Sequence, residues 1–221
     1  MLTKTLISDD LGSINKGVVS VLNNLSIKNV EQVQYCDDAY LKIKAAIQKG
    51  APYDLLITDL SFKTDHREQK YTSGEALIKE LRQENIDIKI IVYSIEDRLQ
   101  RVRRLVKNFQ IDAYVCKGRK GLVELAEAIN TVATSKIYLS PQVNEALTKK
   151  TNLDIDDYDI ELVKQLSNGL SQDEISTYFK TNSISPSSLS TIEKRLNKLR
   201  IQFKASNAIQ LVAIMKDLGL I

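Results

Sequence analysis

Sulfur and imidazole are scarce in this chain. Its 221 residues include two cysteines, Cys36 and Cys116, and one histidine, His66. The cysteines lack CxxC spacing, which argues against a disulfide framework or a thiolate metal site. Both fall in stretches that read as strand, where a small buried apolar side chain is the ordinary role. A lone histidine excludes multi-histidine zinc sites and a Ser-His-Asp triad built within one chain. No run approaches the roughly 20 apolar residues of a membrane-spanning helix. The opening Met1-Leu2-Thr3-Lys4-Thr5-Leu6-Ile7 is too short for the apolar core of a signal peptide, and acids follow at once. A strong charge of one sign is also missing: the formal net charge of +3 is too small to declare a nucleic-acid partner, so the clustering of basic residues matters more than their sum. There is no internal repeat and no low-complexity tract. These absences predict a soluble, cytoplasmic protein that is not a hydrolase.

What is present is ordered. A hydrophobic content of 43% and a charged content of 27% are ordinary for a globular protein, and the length suits one large domain or two small ones. Through about residue 135, short apolar runs alternate with helical patterns. Strands are predicted at Thr3–Ser8, Val30–Tyr35, Asp54–Thr58, Ile88–Tyr93 and Asp112–Cys116. Several are rich in Ile, Leu and Val without alternation, as parallel strands buried on both faces are. Helices are predicted near 13–25, 37–49, 73–84, 97–108 and 120–135, with Asp37 and Asp38 as caps of the second and Ser73 of the third. The pattern implies a doubly wound five-stranded parallel sheet of flavodoxin-like type.

In such sheets, sites form at the carboxyl ends of the strands. The first strand ends in Asp9-Asp10, the third in Asp59, the fourth in Ser94 and the fifth in Lys117. Three carboxylates, a hydroxyl and an ammonium therefore converge on one edge. Clustered carboxylates repel one another and favour a hard divalent cation such as Mg2+, which takes oxygen ligands and keeps several waters. A cation and a lysine offset charge developing on a transferred phosphoryl group, and an aspartate in that field can act as the nucleophile.

On these residues the chain resembles the receiver domain of two-component response regulators over roughly 1–130. The motifs that carry the likeness are Ile7-Ser8-Asp9-Asp10, Leu56-Ile57-Thr58-Asp59-Leu60, Val92-Tyr93-Ser94 and Ala113-Tyr114-Val115-Cys116-Lys117-Gly118. The resemblance implies that Asp59 accepts phosphate from a sensor histidine kinase. It implies that Asp10 and Asp59 hold Mg2+, with the Ser61 carbonyl as third ligand and Asp9 assisting. Ser94 would turn toward the phosphoryl group, Lys117 would pair with it, and Tyr114 would swing inward as the coupled switch.

Two features depart from the receiver pattern. The loop Ser61–Gly74 is long and lacks the Met-Pro usual after the phosphorylated aspartate, and the residue after Ser94 is the branched Ile95 rather than a small one. A long loop in a compact domain is often functional. A phosphatase of the dehalogenase type would carry a second carboxylate two residues after its nucleophile; position 61 is Ser61. Chemistry is thus expected only at the chain's own aspartate. The competing reading is a phosphorylation-independent transcription factor whose receiver-like domain is a dimerisation or partner-binding module.

Residues 136–157 read as a linker, polar and weakly periodic around Lys149-Lys150-Thr151-Asn152 and Asp154. Beyond it only helical signals appear. Asp159 is the predicted cap of a helix ending at Gly169; Ser171-Gln172-Asp173-Glu174 reads as a capping box; Asn207 is placed to cap a last helix carrying Ile209, Val212 and Ile214 before Gly219. Between them Leu189, Ile192, Leu196, Leu199 and Phe203 form a core stripe that leaves Thr191, Lys194, Arg195 and Lys198 outward, with Arg200 and Lys204 further on. Helix, turn and basic amphipathic helix is a DNA-reading order. The segments Leu166-Ser167-Asn168-Gly169-Leu170-Ser171, Glu174-Ile175 and Ser190-Thr191-Ile192-Glu193-Lys194-Arg195-Leu196 resemble the LuxR-type helix-turn-helix of NarL/FixJ-class regulators, with a longer turn at 180–187. The expected organisation is a receiver at 1–135, a linker at 136–157 and an all-α helix-turn-helix domain at 158–221. By the resemblance it binds double-stranded DNA as a homodimer when phosphorylated.

Overall fold

The computed structural model describes residues 2–63, 66–147, 155–218 and 220–221. The chain divides into two compact units, 1–147 and 148–221.

In the first unit, strands and helices alternate as β1 (Lys4–Ser8), α1 (Gly12–Asn24), β2 (Asn29–Val33), α2 (Cys36–Gln48), β3 (Leu55–Thr58), α3 (Gly74–Gln83), β4 (Lys89–Ser94), α4 (Leu99–Phe109), β5 (Ala113–Cys116) and α5 (Gly121–Ala133). All strands run parallel in the order β2-β1-β3-β4-β5-β6, the last being Tyr138–Leu139. The four residues of β3 and of β5 are wholly buried, which is why they carry no polar alternation. One layer, α1 and α5, covers Ile7, Ile57, Ile91 and Val115; the other, α2, α3 and α4, covers Leu6, Leu56, Val92 and Tyr114. The order reverses between β1 and β3, and register pairs Ser8 with Thr58, so Asp9 and Asp59 leave the sheet side by side.

The sheet has six strands rather than the expected five, and the expected linker does not begin at 136. The Tyr138 amide donates to the Asp112 carbonyl at 3.2 Å and the Ser140 amide to that of Tyr114 at 2.9 Å. A 3₁₀ helix over Pro141–Leu147 then buries Val143 and Ala146 completely in the α2–α4 layer. These apolar contacts attach 136–147 to the first unit. The polar stretch 149–154 lies outside the described residues, as does Gly219.

Three local expectations are corrected. Cys36 opens α2 and is not in a strand. Asp37 and Asp38 leave α2 without a side-chain cap, because both turn to the 61–74 loop: Asp37 accepts the amides of Lys70 and Tyr71 at 2.9 and 2.7 Å, and Asp38 pairs with Arg67 at 2.6 Å. That loop is closed at its base by a bridge between Ser61 and Ser73, and Tyr71 is buried against Tyr40 with ring centroids 5.1 Å apart. Ser73 caps α3 as expected, its hydroxyl accepting the Ala76 amide at 3.2 Å.

The second unit packs α6 (Asp157–Ser167), α7 (Gln172–Thr181), α8 (Leu189–Gln202) and α9 (Ala208–Asp217) around Leu162, Phe179, Ile192, Leu199, Leu211 and Met215. Asp156, not Asp159, is the cap of α6; Asp159 is the third helical residue and answers it in a reciprocal capping box. Gly169 follows that helix at φ +90, a left-handed turn suited to glycine. The Ser171–Glu174 capping box forms, and Asn207 caps α9. Helix α9 buries Leu211 and Met215, whereas Ile209 is 81% exposed. Among the described residues no helix is long and apolar enough to cross a membrane.

Candidate phosphoacceptor pocket and recognition helix

Of the expected strand-end set, Asp9, Asp59 and Lys117 meet in one buried cluster. Asp9 and Asp59 are 3% and 6% exposed, and Ser94 and Tyr114 are fully buried. Lys117 reaches between the two carboxylates, its Nζ 2.7 Å from Asp9 Oδ2 and 2.6 Å from Asp59 Oδ2. The other oxygens are held by backbone: Asp9 Oδ1 accepts the Leu11 amide at 2.8 Å, and Asp59 Oδ1 the Leu60 amide at 2.6 Å. Asn15 on α1 fixes the turn by donating to the Asp9 carbonyl at 2.9 Å, and Thr58 donates to that of Asp59 at 2.9 Å.

Burial pushes the Asp9 carboxyl above its ordinary range, with the Lys117 hydrogen bond pulling it back. Burial alone would lower the Lys117 pKa. Its hydrogen bonds to Asp59 and Asp9 more than reverse that, so the ammonium persists.

Asp10 stands apart from this pair. It is half-buried and its Oδ2 accepts the Lys63 amide at 2.9 Å, which ties the pocket to the start of the long loop. Among the described residues no group of three or more acidic, His or Cys side chains stands ready to hold a metal ion. Of the expected cradle, Asp9 and Asp59 are joined by Lys117 while Asp10 turns to the Lys63 amide. The donor set still suits a hard cation in kind. It offers only oxygens, carries three carboxylates against one ammonium, and Mg2+ needs only one or two carboxylates when it keeps its waters.

Tyr114, an expected switch residue, points inward, its hydroxyl donating to the Glu96 carbonyl at 2.6 Å. The Glu96 carboxylate is gripped by Arg98 and Arg101, and Arg101 and Arg104 of α4 both reach Glu75 at the start of α3. Glu75 follows Gly74, whose backbone lies on the Asp59 carbonyl so closely that an added Cβ would sit 1.8 Å from that oxygen. Sequence reasoning missed Gly74, Glu75 and Glu96. The Glu75 ion pairs join positions 26 and 29 residues apart, which leaves no local signal. Ile95 is 74% exposed beside Ser94.

On α8, Ser190, Lys194 and Lys198 are exposed as expected, together with Glu193 and Asn197. Thr191 is half-buried, its hydroxyl 2.7 Å from that of the capping Ser188. The outward reading of Arg195 is corrected: its guanidinium is held by the carboxylates of Asp156 and Asp159. Arg200 likewise turns inward, donating to the Ser206 carbonyl at 2.6 Å.

No family model matches the chain. It is 25% identical over 177 residues to a protein named nitrate/nitrite response regulator protein homolog from Haemophilus influenzae, spanning 78% of this chain and 79% of that one. Among solved structures it is similar to RcsB dimers bound to two parallel DNAs, at 20% identity and TM-score 0.63 over 98% of each chain. It is also similar to RcsB of Salmonella enterica serovar Typhimurium bound to a promoter in the presence of phosphomimetic BeF3-, at 20% identity and TM-score 0.61 over 98% of this chain and 99% of that one. The isolated REC domain of the same protein matches 67% of this chain and all of its own length, at 22% identity and TM-score 0.52. At such identities the solved structures establish the fold: a parallel α/β receiver unit followed by a helical helix-turn-helix unit.

Proposed function

We propose that this chain is a cytoplasmic, DNA-binding response regulator of a two-component system, phosphorylated on Asp59 by a sensor histidine kinase. The observation that carries this reading is the buried Asp9–Lys117–Asp59 cluster at the carboxyl edge of the sheet, in one chain with a capped helix-turn-helix unit. An Asp59 carboxylate oxygen attacks the phosphorus of a phosphohistidine, the P–N bond breaks, and the imidazole leaves with a proton from water. Lys117 faces the new phosphoryl oxygens, and Ser94 at the end of β4 turns its hydroxyl to donate to them. Asp10, Asp59 and the Ser61 carbonyl would hold Mg2+, with Asp9 beside them, and the cation would offset charge on the phosphoryl oxygens. The exposed Ser190, Lys194 and Lys198 on α8 face DNA, as a homodimer places two such helices. The chain carries no chemistry for an outside substrate.

One observation favours the phosphorylation-independent reading: the inward Tyr114 is anchored on the Glu96 carbonyl, and Glu96 on Arg98 and Arg101, by links that involve neither Asp59 nor Lys117. A single experiment separates the two. Size by light scattering and binding to genomic DNA fragments are measured with and without beryllofluoride and Mg2+, for wild type and Asp59→Asn. The regulator reading expects wild type to dimerise and bind more tightly on treatment while Asp59→Asn stays silent. Equal dimerisation and binding in every condition overturns it in favour of a fixed scaffold.

A further inference from the structure

The turn before α8 is longer than in helix-turn-helix units of the LuxR type, yet it is anchored at two successive carbonyls. Tyr158 in the first turn of α6 donates its hydroxyl to the Pro186 carbonyl at 2.7 Å, and Ser176 of α7 donates to that of Ser187 at 2.7 Å. Ser188 then caps α8. About two turns further along, Arg195 reaches back to the same end of α6. Its Nε and one terminal nitrogen fork onto the two oxygens of Asp159, the second contact at 3.2 Å, and that terminal nitrogen also meets Asp156. The Tyr158 ring lies 5.8 Å from the guanidinium carbon. Asp159 is fully buried and Arg195 is about three-quarters covered, its side chain 27% exposed.

This geometry differs from that of a residue placed for DNA phosphates. A planar guanidinium forked onto a buried carboxylate is fixed in direction as well as in place. It joins the recognition helix to the capping box of α6 at a distance of 36 residues in sequence. Its neighbours on the outer face, Ser190, Glu193, Lys194, Asn197 and Lys198, remain exposed.

We propose that Arg195 is a positioning residue for DNA reading: clasped by Asp159 and Asp156, it sets the angle at which α8 presents its outer face, and it does not itself contact DNA. The inference rests on the DNA-binding reading given above. It predicts a particular signature. A phosphate contact contributes to specific and non-specific binding alike and to the salt dependence, about 0.9 in the slope of log K against log salt for each contact. A clasp that aims the helix acts on base-edge contacts and therefore on the ratio of specific to non-specific affinity.

The test uses the full chain with beryllofluoride and Mg2+. The specific probe is the tightest duplex that wild type recovers from a pool of random-sequence duplexes, and the non-specific probe is poly(dI-dC). Removing Arg195 alone would strand a buried carboxylate, so the main variant is Asp159→Asn with Arg195→Met. Asparagine can still accept the reciprocal cap from the Asp156 amide, and methionine replaces the apolar stem. Arg195→Lys is the second variant, keeping the charge while losing the fork. Helical content and the thermal midpoint are recorded beside binding. The expected result is a loss of specific affinity of about tenfold or more in both variants, with non-specific affinity and salt slope unchanged. Joint loss of both affinities with a smaller slope makes Arg195 a phosphate contact and overturns the proposal. Equal loss of both at constant slope, or loss of folding in both variants, reduces the clasp to a stabilising ion pair and also overturns it. No change in any quantity does the same. Failure of wild type to bind any duplex sinks the DNA-binding reading itself, a result visible before any variant is made.

Discussion

Gly74→Ala tests the backbone that holds Asp59, the proposed phosphoacceptor. The alanine Cβ would lie 1.8 Å from the Asp59 carbonyl oxygen and 3.0 Å from Thr58 Oγ1. A relaxed carbon–oxygen contact is roughly 3.3–3.6 Å, so the two strands of chain must part by about 1.5 Å. Neither side can yield cheaply. The Asp59 carbonyl is fixed by Thr58 at 2.9 Å, and the Gly74 amide donates to the Leu60 carbonyl at 3.2 Å. Overpacking of this kind costs about 1–3 kcal/mol, and loss of one backbone hydrogen bond adds about 1 kcal/mol. The expected destabilisation of the receiver unit is therefore about 3 kcal/mol. At a urea dependence of about 2 kcal/mol per molar, the midpoint falls by about 1.5 M. The assay is urea unfolding followed by tyrosine fluorescence, with the two units' transitions fitted separately. Gly12→Ala is the control, because a Cβ there meets nothing within 4 Å. An unchanged midpoint in Gly74→Ala would refute the close packing of the 61–74 loop on Asp59.

Glu96 and the cysteines supply two further tests. The Arg98 hydrogen bond holds the Glu96 carboxyl down at about 2 against an ordinary 4.5, so its contribution to stability is full above pH 4.5 and is lost as pH falls toward 2. Glu96→Gln should flatten the pH dependence of the receiver's urea midpoint within that window, and an unchanged slope would mean the carboxylate is not held in solution. Burial pushes the Cys36 thiol up to about 12 and the Cys116 thiol up to about 11. Against an ordinary thiol at 9.0, an aromatic disulfide reagent at pH 7 should react with the native protein slower by about two to three orders of magnitude and with both sites once urea unfolds it. Rapid labelling of the native chain would show that the sheet edge and the start of α2 open far more easily than their packing implies.

The receiver fold was legible because parallel buried strands leave a local signature. Leu55–Thr58 and Lys89–Ser94 are apolar runs without alternation, and the residues that end them fall at the site by a rule of sheet topology. Legibility failed where the decisive partner lies far along the chain. Asp37 looks like a helix cap, and its amides come instead from positions 33 and 34 residues away. Arg195 looks like part of a solvated basic stripe until Asp159 meets it. The sixth strand has two residues, too few for any period to show, and only the burial of Val143 and Ala146 beyond it explains why the chain returns to the sheet.

Two lines of contact leave Asp59. The first is electrostatic and short: Asp59 shares Lys117 with Asp9, so negative charge added at Asp59 competes directly for that ammonium. The second runs through backbone and ion pairs, from the Asp59 carbonyl to Gly74, then by Glu75 to Arg101, by Arg101 to Glu96, and through the Glu96 carbonyl to Tyr114. Contiguity alone is not coupling. The two lines nonetheless differ in what they can carry. The first ends within the pocket. The second passes through α4 and ends on the tyrosine, and every ionic link in it is independent of Lys117. The inward Tyr114 is thus supported by carboxylate–guanidinium pairs that involve neither Asp59 nor Lys117. Such support lowers the free-energy gap that a phosphoryl group at Asp59 has left to close, since a ligand shifts an equilibrium only by its differential affinity for the two states.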